Sequence, residues 1–384
     1  MKKVVLIEIL SLILVVALGV FAFAYLDAGT YLSQLLHPAS QTEYTPTEAT
    51  AAPTEPTEAP TEAPKPTEPA VELPPSPEPV QAPRNLTPDA GWANVLNGHT
   101  LSARAWFVYD LDNDCFLVQS QPVTKVVYPA SITKLFSAYV ALRFLPANQE
   151  ITVGGEVLLI DPDSSVADLM IGDVLTVEQL VAGMMLPSGN DATYVLATAV
   201  GRHLAGDPEL SYQAAIDRFV DQMNKEAKRL GMVNSQFSTP DGIHSSSHHL
   251  CFEDLVTVSK LALESPVISR HVQNAVLTTN LTETRKLEWE NSNLLLDPES
   301  KYYCSYTSGL KTGFTTAAGN CLLSSFTVED RHLLVGVFGC AVPDNRFADT
   351  LLILADLFDV TIPDVPVSQI PLPGDSPSLP NKNP

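Results

Sequence analysis

The first chemical signal lies in the stretch Ser131-Ile132-Thr133-Lys134, which follows Pro129-Ala130 and opens the apolar run Leu135 to Leu145. A proline two residues ahead of such a run signals a helix start, and a helix that is apolar on all sides belongs in a domain centre. Residues i and i+3 share a helix face, so the Lys134 amine and the Ser131 hydroxyl can meet there. The field of the helix N-terminus favours negative charge at Ser131. Together these features activate a serine without a histidine. Ser-x-x-Lys is a short motif, expected by chance about once or twice in a chain of this length. A second copy, Ser308-Gly309-Leu310-Lys311, is present. That copy carries a glycine inside it and sits in a strand-like Lys-Thr-Gly context, so Ser308 is rejected as the nucleophile.

The elements that must position Ser131 can be read around it. Ala105 to Asp110 and Phe116 to Ser120 form two strands joined by the turn Asp112-Asn113-Asp114. Val177 to Leu186 and Ala192 to Leu204 read as helices, the first opened by Thr176 with Gln179 three residues on, a capping-box pattern. Between them Pro187 to Asp191 makes a tight turn. Ala214 to Leu230 is an amphipathic helix stopped by Gly231, and Phe252 to Leu263 is another. Cys321 to Val328 and His332 to Phe338 pattern as a hairpin, and Asn345 to Phe358 as a closing helix. Strands at both ends with helices between imply an α+β domain whose antiparallel sheet joins its first and last strands. The stretch Asn274 to Tyr303 yields no assignment.

Composition divides the 384 residues unevenly. Met-Lys-Lys precedes Val4 to Leu26, apolar except for Glu8 and Ser11 and long enough to cross a bilayer, which takes roughly 20 residues. Lysines before the run and Asp27 after it put the remainder of the chain outside the cytoplasm. Residues 1–26 are thus a signal peptide or a signal-anchor helix. Ala22-Phe23-Ala24 offers a cleavage site, whereas the length of the run favours a retained anchor. Residues 27–85 are largely Thr, Glu, Pro and Ala, with repeats such as Pro53-Thr54-Glu55, and read as an extended spacer without a core. The folded domain is expected over 86–360, with a Pro-rich tail over 361–384.

A formal net charge of −22, concentrated in part in the spacer, argues against nucleic acid as a partner, since phosphate binding needs a basic patch. Five cysteines in an exported chain permit disulfides, but the odd count leaves at least one free, and none has Cys-x-x-Cys spacing. His244, His248 and His249 lie in a Ser-rich loop without an accompanying carboxylate pattern, so neither a metal nor a cofactor is expected.

Three segments line up in order: Ser131-Ile132-Thr133-Lys134, Ser188-Gly189-Asn190 and Lys311-Thr312-Gly313. Here the sequence resembles the penicillin-binding serine DD-peptidases, whose marks are Ser-x-x-Lys, Ser-x-Asn and Lys-Thr-Gly. It is most similar to the low-molecular-mass D-alanyl-D-alanine carboxypeptidases, over about residues 100 to 358. The phrases Tyr128-Pro129-Ala130-Ser131, Leu186 to Ala192, Pro240-Asp241-Gly242 and Gly309 to Thr315 carry that resemblance. It implies a β-lactamase/DD-peptidase-like fold, with a five-stranded antiparallel sheet flanked by helices and an all-helical lobe.

The resemblance also implies a mechanism, and residue chemistry supports it. Ser131 would attack the carbonyl of the penultimate D-alanine and form an acyl-enzyme, with Lys134 as a neutral base depressed by burial and by a nearby cation such as Lys311. Ser188 would pass a proton to the leaving amine, and Asn190 would orient Lys134 and the substrate amide. Lys311 and Thr312 suit the terminal carboxylate, and Gly313 lets the substrate backbone approach a strand edge. Backbone N–H groups of Ser131 and Phe314 would form the oxyanion hole, and Arg346 would help hold the carboxylate. The implied partners are peptidoglycan stem peptides ending in D-Ala-D-Ala, β-lactams as covalent inhibitors, and the membrane through the N-terminal segment. Alternatives with the same motifs are a β-lactamase, a transpeptidase or an endopeptidase, and from another class a membrane-tethered penicillin or peptidoglycan sensor. No Glu-x-x-Leu-Asn stretch follows Ser188, which argues against a class A β-lactamase.

Overall fold

The computed structural model of the protein describes residues 101–282 and 284–358. The expected N-terminal segment 1–26, the spacer 27–85 and the tail 361–384 lie outside the described residues. Among the described residues no helix is long and apolar enough to cross a membrane.

The chain begins with a hairpin of β1 (Ala105–Asp110) and β2 (Cys115–Gln119), then reaches β3 (Val126–Val127) and a 3-10 turn at Ala130–Ile132 that runs into α1 (Thr133–Leu142). Strands β4 (Glu150–Thr152) and β5 (Val174–Thr176) pair across the loop 153–173. Helices α2 (Val177–Met185), α3 (Asn190–Ala205) and α4 (Tyr212–Arg229) follow. After β6 (Leu250–Cys251), which pairs with β3, come α5 (Phe252–Glu264) and α6 (Pro266–Val272). The hairpin β7 (Val276–Asn280) and β8 (Lys286–Glu290) fills part of the stretch that the sequence leaves unassigned. The chain then forms β9 (Thr307–Thr315), β10 (Gly319–Val328), β11 (Arg331–Cys340) and α7 (Asn345–Phe358).

The main sheet has five strands in the order β2-β1-β11-β10-β9, every neighbouring pair antiparallel. First and last parts of the domain meet as the sequence implies, with Phe107 opposite Gly336. Both faces are covered, which is why β10 and β11 read as almost continuous apolar runs. Alternation along β11 sends Leu333, Val335 and Val337 toward α7, while Leu334 and Phe338 join the larger core under the helical lobe. Gly336 is where a side chain would collide with the Phe107 ring, at 2.4 Å from its nearest carbon.

Helix α1 lies at the centre of the lobe, with Thr133 through Ala141 all buried. It ends at Leu142, three residues before the end of the apolar run, and bonds from Arg143 N to Val140 O and from Phe144 N to Ala141 O tighten the last turn ahead of Pro146. The capping box at α2 forms as expected, with Thr176 Oγ1 accepting from Gln179 N and the Gln179 side chain accepting from Thr176 N. Gly231 follows α4 at φ +80°, the left-handed position that favours glycine.

Candidate active site

Ser131, expected at the helix start, sits in the 3-10 turn that leads into α1, two residues before the α-helix proper. Ala130 before it takes φ +49°, a conformation unusual for a residue with a side chain. The turn is held from below by the loop 239–242. Gly242, at φ +88°, passes so close that a Cβ there would lie 1.9 Å from Ala130 O. From the other side β9 closes in, and a Cβ on Gly313 would stand 2.8 Å from Pro129 O and 3.2 Å from Ser131 N. Gly313 is therefore needed first for packing of β9 on the nucleophile turn, a reason that the sequence reading did not supply.

Lys134 projects back along α1, and its Nζ donates to Ser131 Oγ at 2.8 Å and to Asp241 O at 3.0 Å. The side chain is 0 % exposed. Burial pushes its amine down to about 8 against the opposing pull of the Asp241 and Asp191 carboxylates. The sequence reading assigned part of this lowering to Lys311. In the structure the repulsion is expressed on Lys311, which burial first, then Lys134 and Arg346, push well below the usual lysine range.

Ser188 precedes α3 at φ +64°, a second strained non-glycine position, and lines the same cavity as Ser131. Asn190 opens α3. Its side-chain amide donates to Ser164 Oγ at 2.7 Å, and no hydrogen bond joins it to Lys134 among the described residues, so the expected link between those two is not made. Ser164 belongs to the loop 153–173. That loop is tied down by Asp191, whose carboxylate accepts from Ala167 N at 2.8 Å and Leu169 N at 3.1 Å, and by Trp289 Nε1, which donates to Ala167 O.

The opposite wall is β9. Thr312 Oγ1 lies 2.5 Å from Ser292 Oγ, a contact from the unassigned stretch between β8 and β9. Lys311 Nζ donates to the Thr312 carbonyl at 3.4 Å behind the wall. Phe314 is 59 % exposed at the rim. Arg346, at the start of α7, donates from Nη1 to Gly313 O at 3.4 Å, and its buried Nε has no partner. Burial lowers its guanidinium from the usual range.

A cavity of about 190 Å³ is enclosed by these elements, with Ser131, Ser188, Asn190, Thr312 and Arg346 in its lining. All nine sequence-predicted site residues thus lie at or directly behind one cavity. Ser164 and Ser292 also line it, and the sequence offered no signal for either, since each lies in a loop and its partner sits 20 or more residues away. The arrangement presents a serine against a buried amine on one side and hydroxyl and cationic donors on the other. Such a cavity suits acyl transfer from a peptide that ends in a carboxylate. Ser308, on β9, belongs to a strand and not to a helical turn.

The D-alanyl-D-alanine carboxypeptidase family, Peptidase_S11, matches residues 93–341. Among curated relatives, the chain is similar to D-alanyl-D-alanine carboxypeptidase DacF of Bacillus subtilis, 26% identical over 238 residues that make up 59% of this chain and 54% of the relative. Among solved structures it is similar to the Streptomyces K15 DD-transpeptidase, with TM-score 0.61 and 26% identity over 68% of this chain and 99% of the other. It is also similar to Penicillin-Binding Protein D2 from Listeria monocytogenes in its cefotaxime-bound form, with TM-score 0.55 and 26% identity over 68% and 98% of the two chains. The chain spans between half and two thirds of the length of the first curated relatives, 54% and 61% for two of them.

Proposed function

The chain belongs to the D-alanyl-D-alanine carboxypeptidase family, and we propose from that premise that it removes the terminal D-alanine from peptidoglycan stem peptides through an acyl-enzyme on Ser131. The observation that carries the reading is the 2.8 Å contact of the Ser131 hydroxyl with a fully buried lysine amine. Neutral Lys134 takes the hydroxyl proton as the oxygen attacks the penultimate carbonyl. Backbone N–H groups of Ser131 and Phe314 hold the oxyanion, and Ser188 hands a proton to the departing D-alanine amine. Asn190 binds the substrate amide, its place set by Ser164. Lys311, Thr312 and Arg346 hold the terminal carboxylate, with Gly313 keeping β9 against the nucleophile turn. A water then releases the shortened peptide. β-Lactams present a strained amide and a carboxylate to the same groups and acylate Ser131 as covalent inhibitors.

The test measures D-alanine release from a peptide ending in D-Ala-D-Ala, together with the mass of the protein after incubation with penicillin. D-alanine release and an adduct on Ser131 that Ser131→Ala lacks are expected. Absence of both release and adduct would sink the reading, and an adduct without release would favour a penicillin or peptidoglycan sensor. A transpeptidase is a second reading, favoured by the similarity to a solved DD-transpeptidase. Adding an acceptor amine distinguishes the two, since transfer product in place of free acid would assign the transpeptidase.

The apolar run Val4 to Leu26 and the Thr/Glu/Pro segment after it support an extracytoplasmic, membrane-tethered enzyme lifted toward the cell wall by its spacer. Terminal sequencing of the mature protein tests this, because a new N-terminus at Tyr25 would make it a released protein.

A further inference from the structure

His248 takes no step in the reaction above, yet it is 2 % exposed and lies beside the nucleophile turn. Its ring joins two pieces of chain. Nδ1 accepts from Ser238 N at 3.2 Å and Thr239 N at 3.4 Å, and Nε2 stands 2.8 Å from Thr133 Oγ1. Two backbone donors aimed at Nδ1 leave no place for a proton there. The ring is therefore the Nε2–H tautomer and donates to the Thr133 hydroxyl.

What it joins is the machinery around Lys134. Thr133 lies between Ile132 and Lys134, at the junction of the 3-10 turn with α1. The loop 238–242 delivers Asp241 O to the Lys134 amine, Pro240 O to Ser137 Oγ at 2.5 Å, and Gly242 beneath Ala130. Thr239 Oγ1 accepts from Gly242 N at 3.1 Å and tightens that loop. On its remaining side the His248 ring meets Phe237 edge-on, with centroids 5.7 Å apart, and Phe237 stacks on Phe136 of α1 at 4.8 Å. The titratable groups about it are Lys134 and Asp241 on the two elements it joins, and His244 and His249 on its own segment. Burial, reinforced by those two histidines, pushes the ring down to about 4 and keeps it uncharged near neutrality.

We propose that His248 is a positioning residue for the Ser131–Lys134 pair: by tying Thr133 to the loop 238–242, it holds the lysine amine between Ser131 Oγ and Asp241 O. This rests on the reading of Ser131 and Lys134 as nucleophile and base. A polar hydrogen bond from a buried ring is a rigid strut, and a displacement of about 1 Å at a reacting pair can lower a rate by about a hundredfold.

The experiment follows acylation of the full chain by a fluorescent penicillin as a second-order rate constant, beside thermal unfolding. His248→Leu and Thr133→Val are each expected to slow acylation by about tenfold or more. His248→Gln, whose amide can donate to Thr133 and accept from Ser238 N, is expected to recover most of the rate. The double variant of His248→Leu with Thr133→Val is expected to be no slower than the slower single one. Wild-type acylation by Thr133→Val, equal losses in the leucine and glutamine variants, or additive losses in the double variant would each overturn the proposal. If His248→Leu does not fold, Thr133→Val and His248→Gln decide by the same criteria. Wild-type protein that labels on Ser131 while the variants label equally fast removes this inference alone. Wild-type protein that takes no label removes the nucleophile assignment and this inference with it.

Discussion

Lys134 must be neutral when it meets Ser131, and its burial sets the pH at which that happens. The amine is lowered from the usual lysine range to about 8, so the neutral fraction grows as pH rises through that value. Acylation by penicillin is therefore expected to rise about tenfold per pH unit below 8 and to level off above it. A rate that stays flat between pH 6 and 9 would remove Lys134 as the base. Lys134→Ala should abolish acylation at every pH while thermal unfolding remains cooperative. Lys311 obeys the same logic with another outcome. It lies well below the usual range because burial, Lys134 and Arg346 all oppose its charge. A bound carboxylate favours the charged form and raises it again. Binding of a peptide carboxylate to Ser131→Ala should then take up protons, visible as heats that differ between buffers of different ionisation enthalpy. Buffer-independent heats would count against Lys311 as the carboxylate anchor.

At the level of elements, catalysis depends on three backbones converging on one turn. The loop 239–242, the turn Ala130–Ile132 and strand β9 meet through two glycines, and neither leaves room for a methyl group. Gly242→Ala would set a Cβ inside Ala130 O at a positive φ, so the turn or the loop must move. The expected outcome is a loss of about 2 kcal/mol or more in denaturant unfolding and acylation slowed by about a hundredfold. Normal acylation in that variant would show that the contact is not needed. The sequence made α1 and its pairing of Ser131 with Lys134 legible, because spacing i to i+3 on a helix is a local rule. Motif order also revealed Ser188, Asn190, Lys311 and Thr312. The partners that fix them were hidden, since His248 meets Thr133 across 115 residues and Ser292 meets Thr312 from a stretch with no periodic pattern. Asn190 was read as orienting Lys134 and the substrate amide, and the sequence carried no sign of Ser164, from a loop 26 residues earlier, which accepts from its Nδ2.

Across the domain, the sheet that joins its first and last strands makes stability a single property, and buried ionisable groups tie it to pH. His248 has a folded value of about 4 against an ordinary 6.5. Below pH 6.5 the unfolded chain binds a proton that the folded one refuses, so stability contributed by the neutral ring is complete above 6.5. It is lost as pH falls toward 4. Wild-type protein should lose about 3 kcal/mol of unfolding free energy from this group across that window, measured by denaturant titration, and His248→Gln should lose less. An identical decline in both would assign acid lability elsewhere. The overall architecture was legible because both sheet faces are covered and the patterns of strand, helix and strand follow from burial. The β7–β8 hairpin was not, since β7 is mostly Thr and Asn, β8 sets only Leu287 and Trp289 between charged residues, and neither carries a continuous apolar run.

All five cysteines are buried and none is bonded to another. A domain built this way owes nothing to the oxidising power of its surroundings, and its folding need not wait for an oxidase to join sulfur atoms. The thiols are also spread over the domain, with Cys115 on β2, Cys251 on β6, Cys304 ahead of β9, and Cys321 and Cys340 on the paired strands β10 and β11. Their rates of alkylation would record, position by position, how often each region of the native domain opens to solvent.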